Sequence, residues 1–383
     1  MLFTSYIELS KSALNNNIGY LKSKVGANTK YSMVIKANAY GHGIEDILPL
    51  IESCGVDHFS VFSVEEARRA LKVKNEYCHI MIMGFIDDDY IEWAIENDIS
   101  FFVFTPERLN AVVEVSKKMV KQARIHLELE TGMHRTGFCE DQLPGVIDVI
   151  KTNSRNIFLE GVCSHLAGAE SISNFPRINR QIETFKRLVG FIASKGLTPK
   201  YKHIACSAGV LNFPDSCLDL VRVGISNYGF WPGNETKMLY LKDKQTVDDP
   251  LKQVLSWKSK VMSINNVKED EYVSYGTSFL TNRDSKIATV PVGYGYGFSR
   301  NLSNLGHVLI NSKRVTVVGS VNMNMMVVDV SDLPNVKVGD EVVLIGKQGS
   351  KSISVSSFSD MNNSMNYELL TRLPSAIPRL IVD

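Results

Sequence analysis

Eight short β-rich runs, separated by longer stretches that include clear amphipathic helices, fill the first two thirds of the chain. That alternation demands a parallel sheet with helical crossovers. The runs are YSMVIK (Tyr31 to Lys36), FSVFS (Phe59 to Ser63), HIMIMG (His79 to Gly84), SFFVF (Ser100 to Phe104), RIHLELE (Arg124 to Glu130), LEGVCSH (Leu159 to His165), KHIACS (Lys202 to Ser207) and LVRVG (Leu220 to Gly224). Between them, VEEARRALKV, EDQLPGVIDVIKTN and RQIETFKRLVGFIASKG carry apolar residues at helical spacing. Eight such units can close on themselves, so the predicted fold is α/β with an N-terminal (β/α)8 TIM-type barrel. After Asn234 the texture changes. VLSWKSKVMSI, KIATVPVGYGYGF, RVTVVGSVNMNMMVVDV and DEVVLIG, set apart by Gly, Asn, Asp and Lys turns, predict a C-terminal mostly β domain. The charged stretch ETKMLYLKDKQTVDDP reads as a linker, which places the barrel at 1–236 and the β domain at 237–383.

The charge balance, Lys+Arg 42 against Asp+Glu 41, offers no basic surplus for nucleic acid or a membrane surface. The opening MLFTSYIELSKSALNNNIGYL lacks the pattern of a secretory signal, and no run approaches the roughly 18 apolar residues of a membrane span. Cys54, Cys78, Cys139, Cys163, Cys206 and Cys217 form no CxxC pair, and are read as reduced thiols in a cytoplasmic protein without a metal site.

A barrel of this type gathers the C-terminal ends of its strands at one mouth, where polar side chains carry chemistry. Lys36 closes the first run, Arg135 follows the fifth, His165 closes the sixth, Ser207 closes the seventh, and Arg222 with Gly224 lies at the eighth. Lys36 leads from a strand into the Gly-rich segment ANAYGHG with Tyr40 and His42. Burial there disfavours the ammonium and leaves the neutral amine that a Schiff base requires. The residues alone also allow a solvated lysine before a tight turn.

VIKANAYGHG closely resembles the pyridoxal-phosphate attachment motif of the alanine racemase family, and further motifs follow in family order. ETGMHRTGF (Glu130 to Phe138) resembles its substrate-arginine motif, SHLAGAE (Ser164 to Glu170) its histidine motif, and LVRVGISNYG (Leu220 to Gly229) the segment meeting pyridine nitrogen and phosphate. VSYGTSF (Val273 to Phe279) resembles the catalytic tyrosine motif, followed by VPVGYGYGFSR and NYELLTRLPSAIPR. The resemblance implies pyridoxal 5'-phosphate as cofactor and an isomerase that interconverts L- and D-alanine, feeding D-alanine biosynthesis for the cell wall. It implies Lys36 as the covalent cofactor anchor and one acid/base group, with Tyr275 of a partner subunit as the other. Tyr40, Ser207, Gly224 and Ile225 are implied as phosphate contacts. Arg222 is implied to face the pyridine nitrogen, His165 to sit between Arg222 and Tyr275, and Arg135 with the backbone near Met323 to receive the substrate carboxylate. A homodimer with shared active sites follows from the same resemblance.

Four positions depart from the family pattern. Glu128 stands where members commonly carry a carbamylated lysine, so a permanent carboxylate is expected to orient Arg135 without modification. Asn324 and Tyr296 replace aspartates, and Ser375 replaces a tyrosine near the phosphate. These changes open the possibility of serine or larger amino acids as substrates. A pyridoxal-phosphate decarboxylase of the same architecture is the competing enzyme reading, but such enzymes use a cysteine motif in the β domain, and none follows Cys217. Non-catalytic cofactor carriers lack the β domain, and a sugar-phosphate barrel enzyme accounts for fewer of the motifs.

Overall fold

The structure, a computed structural model, describes residues 3–242, 248–356, 358 and 366–383. It divides into two compact units: Ala13–Ala39 with Ile47–Lys252, and Met1–Ser12 with Tyr40–Asp46 and Gln253–Asp383. Residue 236 falls inside the first of these, and both the N-terminal strand and the segment from Tyr40 to Asp46 belong to the second.

The chain starts with β1 (Ser5–Ser10), then lays down β2 (Lys30–Val34), β3 (His58–Val61), β4 (His79–Ile82), β5 (Ser100–Val103), β6 (Ala123–Glu128), β7 (Ile157–Cys163), β8 (Tyr201–His203) and β9 (Leu220–Val223). The strands from β2 to β9 form one parallel sheet in the order β8-β7-β6-β5-β4-β3-β2-β9, so each of the eight expected runs contains a strand. The ends of that order meet, because Asp219 N donates to Lys202 O at 3.1 Å and Arg222 N to Ala205 O at 3.0 Å. The sheet thereby closes as a TIM-type barrel. Its strands are buried on both faces, as crossover helices require, with Met33, Phe59, Val61, Phe101, Ile125, Val162 and Val221 excluded from solvent.

The helices start where local chemistry supplies partners for their free N–H groups. Ser63 accepts from Glu66 N ahead of Val64–Leu71, and Thr105 accepts from Arg108 N ahead of Pro106–Met119, whose first residue is proline. The first of these helices carries Glu65 and Glu66 in its opening turn and Arg68 and Arg69 in its last, matching the helix dipole.

The first part of the expected linker, Asn234–Leu241, is helical. Its sequence, NETKMLYL, sets four polar residues before four apolar ones rather than spacing them helically, and tertiary partners decide the matter. Lys237 pairs with Asp249 at 2.9 Å, Trp231 Nε1 donates to the same carboxylate at 3.1 Å, and Trp231 packs on Tyr240. Residues 243–247 of that stretch lie outside the described residues.

The second unit is mostly β, as expected. β10 (Leu255–Lys260), β11 (Ser263–Val267), β12 (Ser285–Val290), β13 (His307–Ile310), β14 (Lys313–Thr316), β15 (Met326–Asp329), β16 (Glu341–Gln348), β17 (Lys351–Ile353) and β18 (Arg379–Val382) follow in order. One sheet runs β14-β13-β16-β10-β1-β18 with β17 on β16, and a second runs β11-β12-β15. β1 lies antiparallel to β10 and parallel to β18, with Ile7 opposite Trp257 and Leu9 opposite Ile381. Ile7, Leu9, Trp257, Leu309 and Val342 are fully buried, and the indole N–H of Trp257 is satisfied by Ser5 Oγ at 2.8 Å. Among the described residues, no helix is long and apolar enough to cross a membrane.

Candidate active site

Strand β2 ends at Val34, and the chain leaves it through a strained turn. Ala37, Asn38, Ala39 and Tyr40 have φ of 51°, 55°, 54° and 51°. Four consecutive non-glycine residues in the left-handed region cost about 1–2 kcal/mol each, so neighbouring contacts must hold them. Glu66 does part of this: Oε1 accepts from Ala37 N at 2.5 Å and Oε2 from Phe62 N at 2.8 Å. Arg69 adds a bond to Asn38 Oδ1 at 2.7 Å. Lys36 sits at the entry to this turn, directly after the barrel strand. Sequence reading passed over Glu66, which looks like an ordinary acidic residue in a helix's first turn.

Around Lys36 the barrel unit gathers most of the expected residues. Burial pushes the Lys36 ammonium below its ordinary range, and the positive charges of Arg135 and Arg222 push it the same way. His165 follows the end of β7 and is lowered to about 3, first by burial and then by Arg222, Arg135 and Lys36, so its ring is neutral. Arg222, on β9, is buried, donates through Nη2 to Ser164 O, and places its guanidinium 5.6 Å from the Phe102 ring centroid. Its Nε and the Nδ1 of His165 are buried without a hydrogen-bond partner. Just past β9, Gly224 N donates to Ser207 Oγ at 2.9 Å, and Ile225 is buried beside it. The accepting Ser207 hydroxyl keeps its own proton free to donate.

Glu128 ends β6 and is buried. Burial raises its pKa above the ordinary carboxylate range, opposed by the Thr136 hydroxyl and then by the charges of Arg222 and Arg135. It therefore belongs electrostatically to the same cluster. Arg135 itself is exposed, in a turn shaped by Glu130, whose carboxylate accepts from Gly132 N and, at 2.8 Å, from His134 N. Thr136 is a second contributor that the sequence reading did not single out.

Tyr40, Tyr275 and Met323 belong to the β unit. Tyr275 follows Ser274, a left-handed residue at φ 68° whose hydroxyl donates to Ser320 O at 2.8 Å, while Ser320 Oγ donates to Tyr275 O at 3.2 Å. The phenol is 74% exposed. Gly295 N donates to Met323 O at 2.8 Å and Tyr294 N to Asn322 O at 3.0 Å, which brings the Tyr294–Tyr296 turn against the Met323 loop. A side chain at Gly293 would put its Cβ 2.0 Å from Asn322 O, so only glycine permits this approach. Tyr296 and Asn324 thus lie on adjoining loops. Arg379 Nη1 donates to Ser375 O and Nη2 to Gly41 O, both at 2.9 Å, so the Ser375 loop is tied to the segment that follows Tyr40.

Comparison with known proteins places the chain among related sequences and folds. A family model described as alanine racemase, N-terminal domain, matches residues 9–232, and one described as alanine racemase, C-terminal domain, matches residues 254–381. An alanine racemase of Leptospira interrogans is 33% identical over 381 residues, covering 100% of this chain and 96% of the relative. The alanine racemase of Bacillus anthracis with bound L-Ala-P superposes with a TM-score of 0.91 at 28% identity, over 100% of this chain and 96% of the other. That of Bartonella henselae with covalently bound pyridoxal phosphate gives 0.85 at 28% identity, over 99% and 100%.

Proposed function

Because the chain belongs to the alanine racemase family, and is therefore an amino-acid racemase, we propose that Lys36 and Tyr275 are its two acid/base groups and pyridoxal 5'-phosphate its cofactor. The observation that carries this reading is the cluster at the barrel end: a lysine driven toward its neutral amine by burial, Arg135 and Arg222. The residues present fit the cofactor. Lys36 supplies a nucleophilic amine, Ser207 a hydroxyl with a proton to donate, Gly224 and Ile225 the adjoining backbone, and Arg222 a buried guanidinium. When bound, the cofactor supplies the electron sink that lets the proton at the substrate's Cα depart.

Each residue then has a distinct task. Lys36 Nζ moves a proton on one face of Cα, and the Tyr275 hydroxyl from a second copy of the chain moves one on the opposite face, which inverts the centre. Arg222 would hold the pyridine nitrogen of the bound cofactor. A guanidinium is always charged, so it would leave that nitrogen unprotonated and restrain side reactions. Arg135 and the Met323 backbone receive the substrate carboxylate, Tyr40 joins the phosphate contacts, and His165 stands between Arg222 and Tyr275.

A homodimer is supported by the surface of the β unit. Tyr272, Tyr275, Leu280, Tyr294, Leu305, Met323 and Met325 are all exposed, an unusual density of large apolar side chains for a surface left to water. A second copy covering it also carries Tyr275 to its site.

Alanine is the proposed principal substrate, and the exposed Asn324 and Ser375 support a broader range that includes serine. Solvent deuterium exchange at Cα, followed across a panel of L- and D-amino acids, tests both statements. Exchange with both alanine enantiomers is expected, whereas CO2 release without exchange would point to a decarboxylase. Glu128 is proposed to orient Arg135 through its side-chain carboxyl, with no modified lysine needed. Glu128→Gln is expected to lower kcat/KM for alanine about tenfold, mainly through KM, and added bicarbonate is expected to leave the native activity unchanged. A bicarbonate requirement in the native chain would contradict that assignment.

A further inference from the structure

The helix Phe175–Ser194 turns a buried stripe of Ile178, Gln181, Phe185, Leu188 and Ile192 inward. Gln181 is the polar member of that stripe. It is 1% exposed, and both polar atoms of its carboxamide have partners. Oε1 accepts from Ala167 N at 2.8 Å, while Nε2 donates to His165 O at 3.0 Å and to Thr131 Oγ1 at 3.3 Å.

Backbone groups dictate how this amide lies. A peptide N–H on one side and a peptide C=O on the other need an acceptor and a donor from a single side chain, and reversing the amide would set N–H against N–H and oxygen against oxygen. An ionised glutamate offers no donor for His165 O, and a methionine offers neither group.

Two loops meet on Gln181. His165 and Ala167 follow β7, and Thr131 follows β6 in the turn that leads to Arg135. Thr131 Oγ1 lies 2.7 Å from Ser164 Oγ, and both residues are buried, so the loops are joined a second time. Gly132 has φ 120°, and a Cβ there would lie 3.5 Å from Gln181 Cγ, so the turn packs on the glutamine stem. One helical turn earlier, the exposed Arg177 takes the outer side, with Nε and Nη2 donating to Gly132 O at 3.2 and 2.7 Å. His134 and Arg135 themselves are exposed, so the direction in which the Arg135 side chain leaves the turn is set by how Thr131 and Gly132 are held.

We infer that Gln181, supported by Arg177, is a positioning residue for the substrate carboxylate: it fixes the turn 131–135 and with it the guanidinium that receives that carboxylate. The inference rests on the proposed role of Arg135.

Gln181→Met, Arg177→Ala and Arg135→Gln test it in the full, cofactor-loaded chain. KM and kcat are measured for alanine, together with the calorimetric Kd for propionate, which carries the carboxylate without the amine. Gln181→Met keeps the volume and loses the bonds. Its KM and propionate Kd are expected to rise together by about tenfold, with kcat changing less than about threefold, because a carboxylate contact made equally before and during reaction acts on binding. A glutamine that only supported the fold would lower the active fraction, hence kcat, and leave KM unchanged; that result overturns the inference. Arg177 is exposed, so Arg177→Ala is expected to fold whatever happens at Gln181, with a rise in KM of about two- to fivefold. In the chain without cofactor, amide hydrogen exchange over residues 132–135 is expected to speed up about tenfold in Gln181→Met and to stay unaltered over 37–39. Raised KM and Kd in Arg135→Gln with native values in both Gln181→Met and Arg177→Ala would overturn this inference alone. Native values in Arg135→Gln would defeat the carboxylate assignment and the inference with it.

Discussion

Lys36→Ala is expected to lose cofactor-dependent absorbance and to lower racemisation by roughly 10,000-fold or more, because the proposed role has the same amine anchor the cofactor and move a proton. Lys36→Arg is expected to lose as much. A guanidinium stays charged under all working conditions, whereas burial and the neighbouring Arg135 and Arg222 favour a neutral amine at this position. The strained turn from Ala37 to Tyr40 depends on Glu66 and Arg69 rather than on the Lys36 side chain, so both variants are expected to fold. Absorbance spectra after cofactor loading, with circular dichroism as the folding control, check the result. Retention of a stable cofactor band in Lys36→Ala would remove Lys36 from its assigned role.

Tyr275→Phe is expected to keep the cofactor band and to lower racemisation by about 100-fold to 10,000-fold, the range for loss of one acid/base group. The effect on the two directions of exchange is expected to differ. A base on one face of Cα serves one enantiomer, so deuterium wash-in from L- and from D-alanine should diverge when one of two bases is gone. The exposed phenol makes a second experiment decisive. If Tyr275 serves the site of the other subunit, dissociating and mixing Lys36→Ala with Tyr275→Phe produces hybrid dimers with one intact site. Random reassortment makes half the dimers hybrids, so recovery of about a quarter of native activity is expected. Mixing without recovery would place both groups in a single chain or remove one of them from the mechanism.

The eight barrel strands were legible because a parallel sheet buried on both faces writes its pattern locally, as short apolar runs between amphipathic stretches. The motif residues at their ends were legible for a related reason. Lys36, His165 and Arg222 each lie at or within two residues of the end of a strand, whereas Ser207, expected to close the seventh strand, instead opens the helix Ser207–Asn212 that follows β8, and barrel topology brings such positions to one rim. The helix at Asn234–Leu241 was not legible, since its support comes from Asp249, beyond an intervening stretch.

Periodicity thus determined the α/β barrel and the β-rich remainder, and motifs resembling the alanine racemase family supplied the roles proposed for the side chains around Lys36. Tertiary structure alone decided the placement of β1, which is absent from the expected runs and finds its partners in β10 and β18. It alone decided the left-handed turn after Lys36, which runs against the preference of Ala37, Ala39 and Tyr40 and survives through contacts made by a different helix. It alone decided the meeting of Glu160 and His126, where a one-residue slip between β6 and β7 sets a carboxylate 3.7 Å from an imidazole. Local sequence reports which faces are buried; strain, register and partners far apart in the chain are settled only when the whole fold competes for them.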